Sequence, residues 1–430
     1  MSETANPLDN AVPLGDLFRI NTAQIIPKAF PGKLFTHYSI PAYDEFHGAA
    51  TEPSGTIESN KFWLSNPCIL VSKLNPRKPR VKSVTDPGDF TCASTEFICF
   101  EPRSDNQVLK FWEAYFASGY FSKRLAKVAV GSTNSHTRAT PRETLNWLVP
   151  SPAVAIQSKI AEILDTIDVA IRGTEAVVAK LRAMKQGLLH DLLTRGIDAN
   201  GDLRPPQPEA PHLYHQTPLG WLPKEWDYTN LGDVIASIDS GWSPACIETP
   251  PAAGEWGVLK VSAVTRGFYD DQQAKTLPTA LKPRPALEVQ DGDVILTRAN
   301  GVAELVGKTV QVRNTQSKLM LSDKLLRLVP DKRKMTNDFL ALLMTSDCIV
   351  RQIEKSMSGS SGQKNISQSQ IRSFECFSPT VDEQQMIMSR VNAFEVRISA
   401  EEKELHKLRL QKSGLMDDLL AGRVPVTPLL

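Results

Sequence analysis

The segment Gly301-Val-Ala-Glu-Leu-Val-Gly307-Lys308-Thr309 is the part of the chain closest in residue type to a chemical site. Glycines followed by lysine and threonine can cradle phosphate on backbone N–H groups. Here, however, five residues separate the glycines, where a phosphate-binding loop needs four. Val310-Gln-Val312 then reads as a strand, not as the helix whose N-terminus would hold the anion. No Gly-x-Ser-x-Gly elbow, His-Glu-x-x-His pair or Asp/Asn-Pro-Pro-aromatic segment occurs, and nothing in the spacing pairs the carboxylates. Cysteines at 68, 92, 99, 246, 348 and 376 include no Cys-x-x-Cys pair, and the seven histidines form no ligand ladder with them. They read as free core thiols in a reducing compartment. The pattern gives no active site and no metal site.

Binding chemistry is better supplied. Lys61, Lys73, Arg77, Lys78, Arg80 and Lys82 lie between Ser59 and Thr85, a stretch with no acidic residue. Arg77 to Lys82 follows an apolar strand, so it forms a loop or hairpin tip able to meet phosphates; a solvated basic loop is the plainer reading. In the second half, Arg298 and Asn300 end a strand with side chains suited to guanine and adenine edges, although an Asn-Gly turn has the same sequence. Lys308 follows close by. Two Gly-Ser segments occupy matching places, Gly131 to Arg138 and Gly359 to Asn365. Their candidates are Ser132, Thr133, His136 and Arg138, then Ser360, Ser361, Gln363 and Lys364, since such turns present N–H groups to phosphate. Ordinary loops feeding a helix would look alike.

The whole chain frames these residues. It has 430 residues, 49 Lys plus Arg against 48 Asp plus Glu, and a net charge of +1. Any polyanion binding must therefore come from local charge. With 41% hydrophobic and 23% charged residues, the composition is that of folded domains. MSETANPLDN has no basic then apolar leader pattern, and no apolar run reaches membrane length. A soluble, cytoplasmic protein without membrane contact is expected.

The chain repeats itself. Lys180 to Leu193 and Lys407 to Leu420 agree at nine of fourteen positions, at an offset of 227. The same offset relates Pro152 to Pro379, Gln157 to Gln384, Ile160 to Ile387 and Ile171 to Ile398. Leu14-Gly-Asp-Leu17 and Leu231-Gly-Asp-Val234 open the two halves at an offset of 217. Each half is thus a variable module followed by a fixed segment. Modules over 1–151 and 224–378 read as mixed α/β, with strands at Cys68–Ser72, Phe97–Phe100, Trp256–Val261 and Asp293–Thr297. Helices are expected near Val108–Ala126 and Asn337–Lys355. The fixed segments 152–196 and 379–422 flank a proline-rich linker, 197–223, and a tail of 423–430 follows.

Heptads run through both fixed segments. Leu164, Ile167, Ile171, Val178, Leu181 and Leu188 form one seam, and Val391, Phe394, Ile398, Leu405, Leu408 and Leu415 the other. Both break at matching polar positions, Thr174/Glu401 and Lys185/Lys412. Polar core positions fix register and partner, so the two helices are expected to pack on each other; helices that each cover their own module are the alternative. At 1.5 Å per residue such a helix runs about 60 Å, long enough to act as a spacer.

These features together resemble the specificity (S) subunits of type I restriction-modification systems. The resemblance rests on the duplicated Lys-Leu-Arg-x-x-Lys-x-Gly-Leu-x-x-Asp-Leu-Leu helix ends, on Pro379-Thr-Val-Asp-Glu-Gln-Gln-Met-Ile387, and on Trp221-Leu-Pro-Lys-Glu-Trp226 before Leu231-Gly-Asp233. A departure is Ala155-Ile-Gln157, where the family often has Glu-Gln. The resemblance implies two tandem α/β target recognition domains joined by two long antiparallel coiled-coil helices. Each domain would grip half of a split site in double-stranded DNA. It also implies a non-catalytic chain with no cofactor of its own. S-adenosylmethionine would sit on two methyltransferase (M) subunits, and ATP with Mg on restriction (R) subunits. The residues alone leave two rivals open: a duplicated scaffold binding protein or glycan, and an ATPase built on 301–309.

Overall fold

A computed structural model describes residues 11–130, 138–359 and 362–430. The chain divides into two units: Met1–Val178 with Ala400–Leu430, and Ala179–Ser399. Each unit therefore contains one half of both long helices.

The central strand of unit 1 is Cys68–Ser72, buried at all five positions. A continuous apolar run is what a strand covered on both faces requires. It lies in a four-stranded sheet ordered Phe18–Ile20, Phe97–Pro102, Cys68–Ser72, Val81–Val84, antiparallel throughout. Leu109–Ala117 and Gly119–Lys127 cover it, with Ser118 capping the second helix through Phe121 N at 3.3 Å. Their aromatic faces meet the sheet: Trp112 packs edge-on to Phe18 at 5.1 Å, and the Phe116 ring lies 5.0 Å from that of Phe100.

Unit 2 repeats this frame. Its sheet runs Ile235–Ser240, Leu325–Pro330, Val294–Thr297, Thr309–Gln311, under helices Asn337–Met344 and Asp347–Ser356. The opening motif of each half forms a single helical turn, Leu14–Leu17 and Leu231–Val234. A Cβ on Gly15 would stand 3.1 Å from the Leu145 carbonyl, and one on Gly232 3.0 Å from that of Arg372. The glycine of Leu-Gly-Asp is there for backbone approach.

Divergence is concentrated in a second sheet. Unit 1 has five strands ordered Gln24–Ile25, Lys61–Trp63, Thr91–Ser94, Leu34–Tyr38, Ala50–Pro53; unit 2 has three, Ala274–Thr276, Gly257–Leu259, Leu319–Met320. Both keep one parallel pairing, Leu34–Tyr38 with Thr91–Ser94 and Gly257–Leu259 with Leu319–Met320.

The long helices are Val154–Thr194 and Val381–Leu420. In unit 1, Leu164, Ile171 and Val178 are buried, and Ile167, Leu405, Leu408 and Leu415 are half-buried. In unit 2, Leu181 and Val391 are buried, and Leu188, Phe394 and Ile398 are half-buried. The pairing is antiparallel: Asp168 meets Lys412 and Glu175 meets Arg409 in unit 1, and Lys185 meets Glu395 in unit 2.

The segment 197–223 departs from the expected linker. Tyr214–Thr217 and Gly220–Pro223 form a hairpin, and Ile197 and Leu222 are buried in the core of unit 2. Its prolines bound these turns, while the intervening apolar and charged residues are held by packing. Buried Arg204 reaches Glu383 at 2.6 Å, and Glu383 also accepts from Ile197 N at 2.8 Å.

Candidate nucleic-acid interface

The basic stretch of unit 1 is a hairpin tip between Cys68–Ser72 and Val81–Val84. Asn75 adopts φ +48°, and Lys78 N donates to its carbonyl at 3.0 Å. Arg77 and Lys78 are exposed there; Lys73 and Lys82 are half-buried on the flanking strands. Arg80 differs from these neighbours. It is 8% exposed and makes a bidentate pair with Asp44, Nε to Oδ1 and Nη2 to Oδ2 both at 2.8 Å. Arg80, followed by Lys78 at 3.1 Å, holds the Asp44 carboxyl well below the usual carboxylate range. Held in this way Arg80 is placed to anchor the hairpin, whereas Arg77 and Lys78 are exposed. No local pattern signals this, because the partner lies 36 positions away.

Arg138 stands beside Lys73. Ala139 N donates to the Lys73 carbonyl at 3.1 Å, and Lys73 N to the Glu96 carbonyl at 2.9 Å. The Arg138 guanidinium pairs with the Glu96 carboxylate through Nε at 3.0 Å and Nη2 at 2.9 Å. Ser132, Thr133 and His136 lie outside the described residues, as do Ser360 and Ser361.

In unit 2 the fold brings two separate candidate segments together. Ala299–Asn300 pairs antiparallel with Lys364–Asn365, Asn300 opposite Lys364. Arg298 and Lys364 are half-buried, while Gln363 and Lys308 are exposed. Asn300 Oδ1 accepts from Val302 N at 3.0 Å, which fixes the amide with its NH2 group as the remaining donor. Lys364 Nζ donates to the Gly359 carbonyl at 3.0 Å. Segment 301–309 is a short turn, Ala303–Leu305, running into strand Thr309–Gln311. No helix follows it to hold a nucleotide phosphate.

Lys324 and Glu96 are the residues that sequence reading missed. Arg298 N donates to the Lys324 carbonyl at 2.8 Å and Ile366 N to that of Arg298 at 3.0 Å. This is the bonding of Lys73 to Glu96 and of Ala139 to Lys73. Thr297 N to Lys308 O likewise repeats Ser72 N to Arg80 O, both at 2.9 Å. Lys324 also lines a 540 Å³ cleft with Lys260, Lys275, Glu248 and Asp323, in which Lys275 holds Glu248 at 2.6 Å. Each unit thus places a cation, Lys73 or Arg298, at the end of its central strand, where a ribbon from the loop before the long helix meets it.

Three buried cysteines take no part. Burial pushes the thiols of Cys68, Cys92 and Cys376 up to about 12, which keeps them protonated and inert.

Residues 223–410 match the type I restriction modification DNA specificity domain. That match takes in the second module and most of the long helix after it. Among curated proteins, the chain is similar to the specificity subunit of type I restriction enzyme EcoEI from Escherichia coli, 37% identical over 45% of this chain. That match spans only 33% of the relative's length. The EcoKI specificity subunit of Escherichia coli strain K12 is 24% identical over 77% of this chain and 68% of its own. Among solved structures, the S subunit of a type I restriction-modification system from M. genitalium has a TM-score of 0.55 at 12% identity, covering 97% of this chain and 98% of that one. A chain from a study of complex assembly and conformational transition of the type I R-M system also reaches 0.55, at 16% identity, over 96% and 97%. At these identities the structural likeness is one of fold.

Among the described residues, no helix is long and apolar enough to cross a membrane.

Proposed function

We propose that this chain is the DNA-reading subunit of a type I restriction-modification complex, working in the cytoplasm and carrying out no catalysis itself. Each unit binds one half of a bipartite site in duplex DNA. Lysines and arginines on the hairpin tips meet phosphates and set affinity, while side chains on the strand-end ribbons reach base edges and set sequence. The observation that carries this reading is the repeated frame, which puts Lys73 and Arg298 at the same backbone place in two units. Two methyltransferase subunits dock on the chain and use S-adenosylmethionine to methylate adenine, flipping it out of the stack. Restriction subunits using ATP and Mg join them.

Co-expression with a type I methyltransferase subunit, purification of the complex and genome-wide methylation profiling test the proposal. The expected result is co-purification and methylation at one split sequence. A chain that fails to retain the methyltransferase, or that binds duplex DNA without salt dependence or sequence preference, would instead be a scaffold for protein or glycan.

A further inference from the structure

Three backbone hydrogen bonds at the strand end of unit 1 have counterparts in unit 2, yet the side chains at two of these places differ in charge. Where unit 1 has Glu96, whose carbonyl accepts from Lys73 N, unit 2 has Lys324, whose carbonyl accepts from Arg298 N. Where unit 1 has Arg138, bridged to Leu74, unit 2 has Asn365, paired with Ala299. A frame held constant while its exposed side chains change is the arrangement expected of a reading position.

Unit 1 carries this further. Glu96 is an acidic residue beside Lys73 and next to a hairpin whose tip carries Arg77 and Lys78. On a surface that meets only phosphates, a carboxylate there weakens binding by repulsion. Its geometry gives it another role. The carboxylate engages the Nε–Nη2 edge of Arg138, with Nε at 3.0 and 3.2 Å from the two oxygens and Nη2 at 2.9 Å. Half of the Arg138 side chain remains exposed, 51% against 27% for Glu96. A guanidinium has five N–H donors in a fixed plane. With one edge held by a carboxylate, the Nη1–Nη2 end is a preoriented fork, and two parallel donors match guanine O6 and N7. A base edge is uncharged, so Glu96 does not repel it as it would a phosphate.

The geometry points to Arg138, held by Glu96, as a guanine-reading residue of unit 1, with Glu96 a positioning residue. The inference rests on the DNA-reading function proposed above and adds the base and the residues that choose it. Unit 2, with Lys324 and Asn365 at the same places, reads a different base there.

The test is selection from randomised duplex DNA by the full chain bound to a methyltransferase subunit, followed by sequencing. The wild type is expected to enrich a split motif with a fixed guanine in one half. Arg138→Ala and Glu96→Gln should make that one position degenerate, with discrimination falling about tenfold to a hundredfold, and leave every other position intact. Arg138→Lys keeps the charge and loses the fork, so it should retain overall affinity and lose the guanine. Glu96→Asp should restore part of the preference. Unfolding midpoints of the Arg138 variants, at an exposed site, should match the wild type. The inference is overturned if Arg138→Lys preserves the whole motif, or if Arg138→Ala weakens all sequences equally, as removal of a phosphate partner would. A wild-type chain that enriches no motif would overturn the DNA-reading function itself.

Discussion

Nζ of Lys412 lies 2.5 Å from Oδ1 of Asp168 within unit 1. Shifted by the repeat of 227, the same two places are Glu395 and Lys185, which meet at 2.7 Å within unit 2. The lysine break in each heptad seam is therefore one interaction made twice, a core-position lysine reaching a carboxylate of the opposing helix. Only antiparallel pairing in this register satisfies both.

A first prediction concerns that register. Replacing both lysines with leucine fills the seam and should raise stability by about 1–2 kcal/mol, because apolar burial replaces a partly exposed ion pair worth less than that. The same variant should lose uniqueness of pairing. Light scattering on the purified chain should show additional oligomers. Lys412→Glu should destabilise through repulsion with Asp168, and adding Asp168→Lys should recover the loss. A single species in the leucine variant would argue against the register role.

Gln157 and Gln384 provide the second prediction. Each donates to the proline carbonyl five residues before it, Pro152 and Pro379, both at 2.9 Å. Each accepts from the backbone N–H at the start of its module's helix pair, Val108 at 2.9 Å and Thr336 at 2.8 Å. These buried amides tie a long helix to the module it serves. Gln384 also donates to the Lys334 carbonyl at 2.7 Å, which Ser378 Oγ shares. Alanine at either place takes the side-chain partner from the proline carbonyl and from the helix-start N–H, at about 1–3 kcal/mol for each group. The urea midpoint of the full chain should fall accordingly for Gln157→Ala and for Gln384→Ala. An unchanged midpoint would show that water replaces the side chain at no cost.

The parts of this architecture written in local pattern were legible in the sequence. Heptad spacing located both long helices, and the continuous apolar run at Cys68–Ser72 located a central strand. The repeat also located matching glutamines, though not what they bind. Long-range partners were invisible: nothing near Arg80 indicates Asp44, and nothing near Arg138 indicates Glu96. Such pairs arise only when strands are laid side by side. Proline density misled at 197–223, because prolines that forbid helix still permit the hairpin Tyr214–Pro223, and burial of Ile197 and Leu222 decides its place.

The third prediction comes from the difference between Ile156 and Glu383, which occupy equivalent places. Glu383 holds Arg204 in a pair with both side chains nearly buried, 5% and 6% exposed, and Glu225 is a second partner of Arg204. Ile156 instead joins an apolar cluster with Leu419, Leu420 and Val426. Glu383→Ala leaves Arg204 with the exposed Glu225 as its one carboxylate partner, beside the Arg195 carbonyl, and should cost about 3–5 kcal/mol at most. Glu383→Ile combined with Arg204→Met imitates the first copy and should recover most of that loss. Gly196→Ala should fail more severely. Gly196 has φ +66°, and a Cβ there would collide with the Glu383 carboxylate and the Trp226 ring. Chemical unfolding of the full chain separates these outcomes.

The last prediction separates anchoring from phosphate binding on the unit 1 hairpin. Arg77→Ala and Lys78→Ala should weaken DNA binding about equally for all sequences, each substitution lowering the salt slope by about 1. Arg80→Ala should lower stability, because it removes the bidentate partner of Asp44 and leaves that carboxylate with Lys78. The Asp44 carboxyl is depressed in the folded state, first by Arg80 and then by Lys78. The unfolded chain therefore binds the proton more readily than the folded one. The stability this contributes is complete above the unfolded value of about 3.9 and is lost as pH falls below it toward the folded value. Asp44→Asn should accordingly lower stability at neutral pH and flatten its decline below about pH 4, measured as urea midpoints across an acid series. If Asp44→Asn leaves the acid limb as steep as before, the Arg80 pair does not anchor the hairpin, and Arg80 stays in the set of candidate DNA-binding residues.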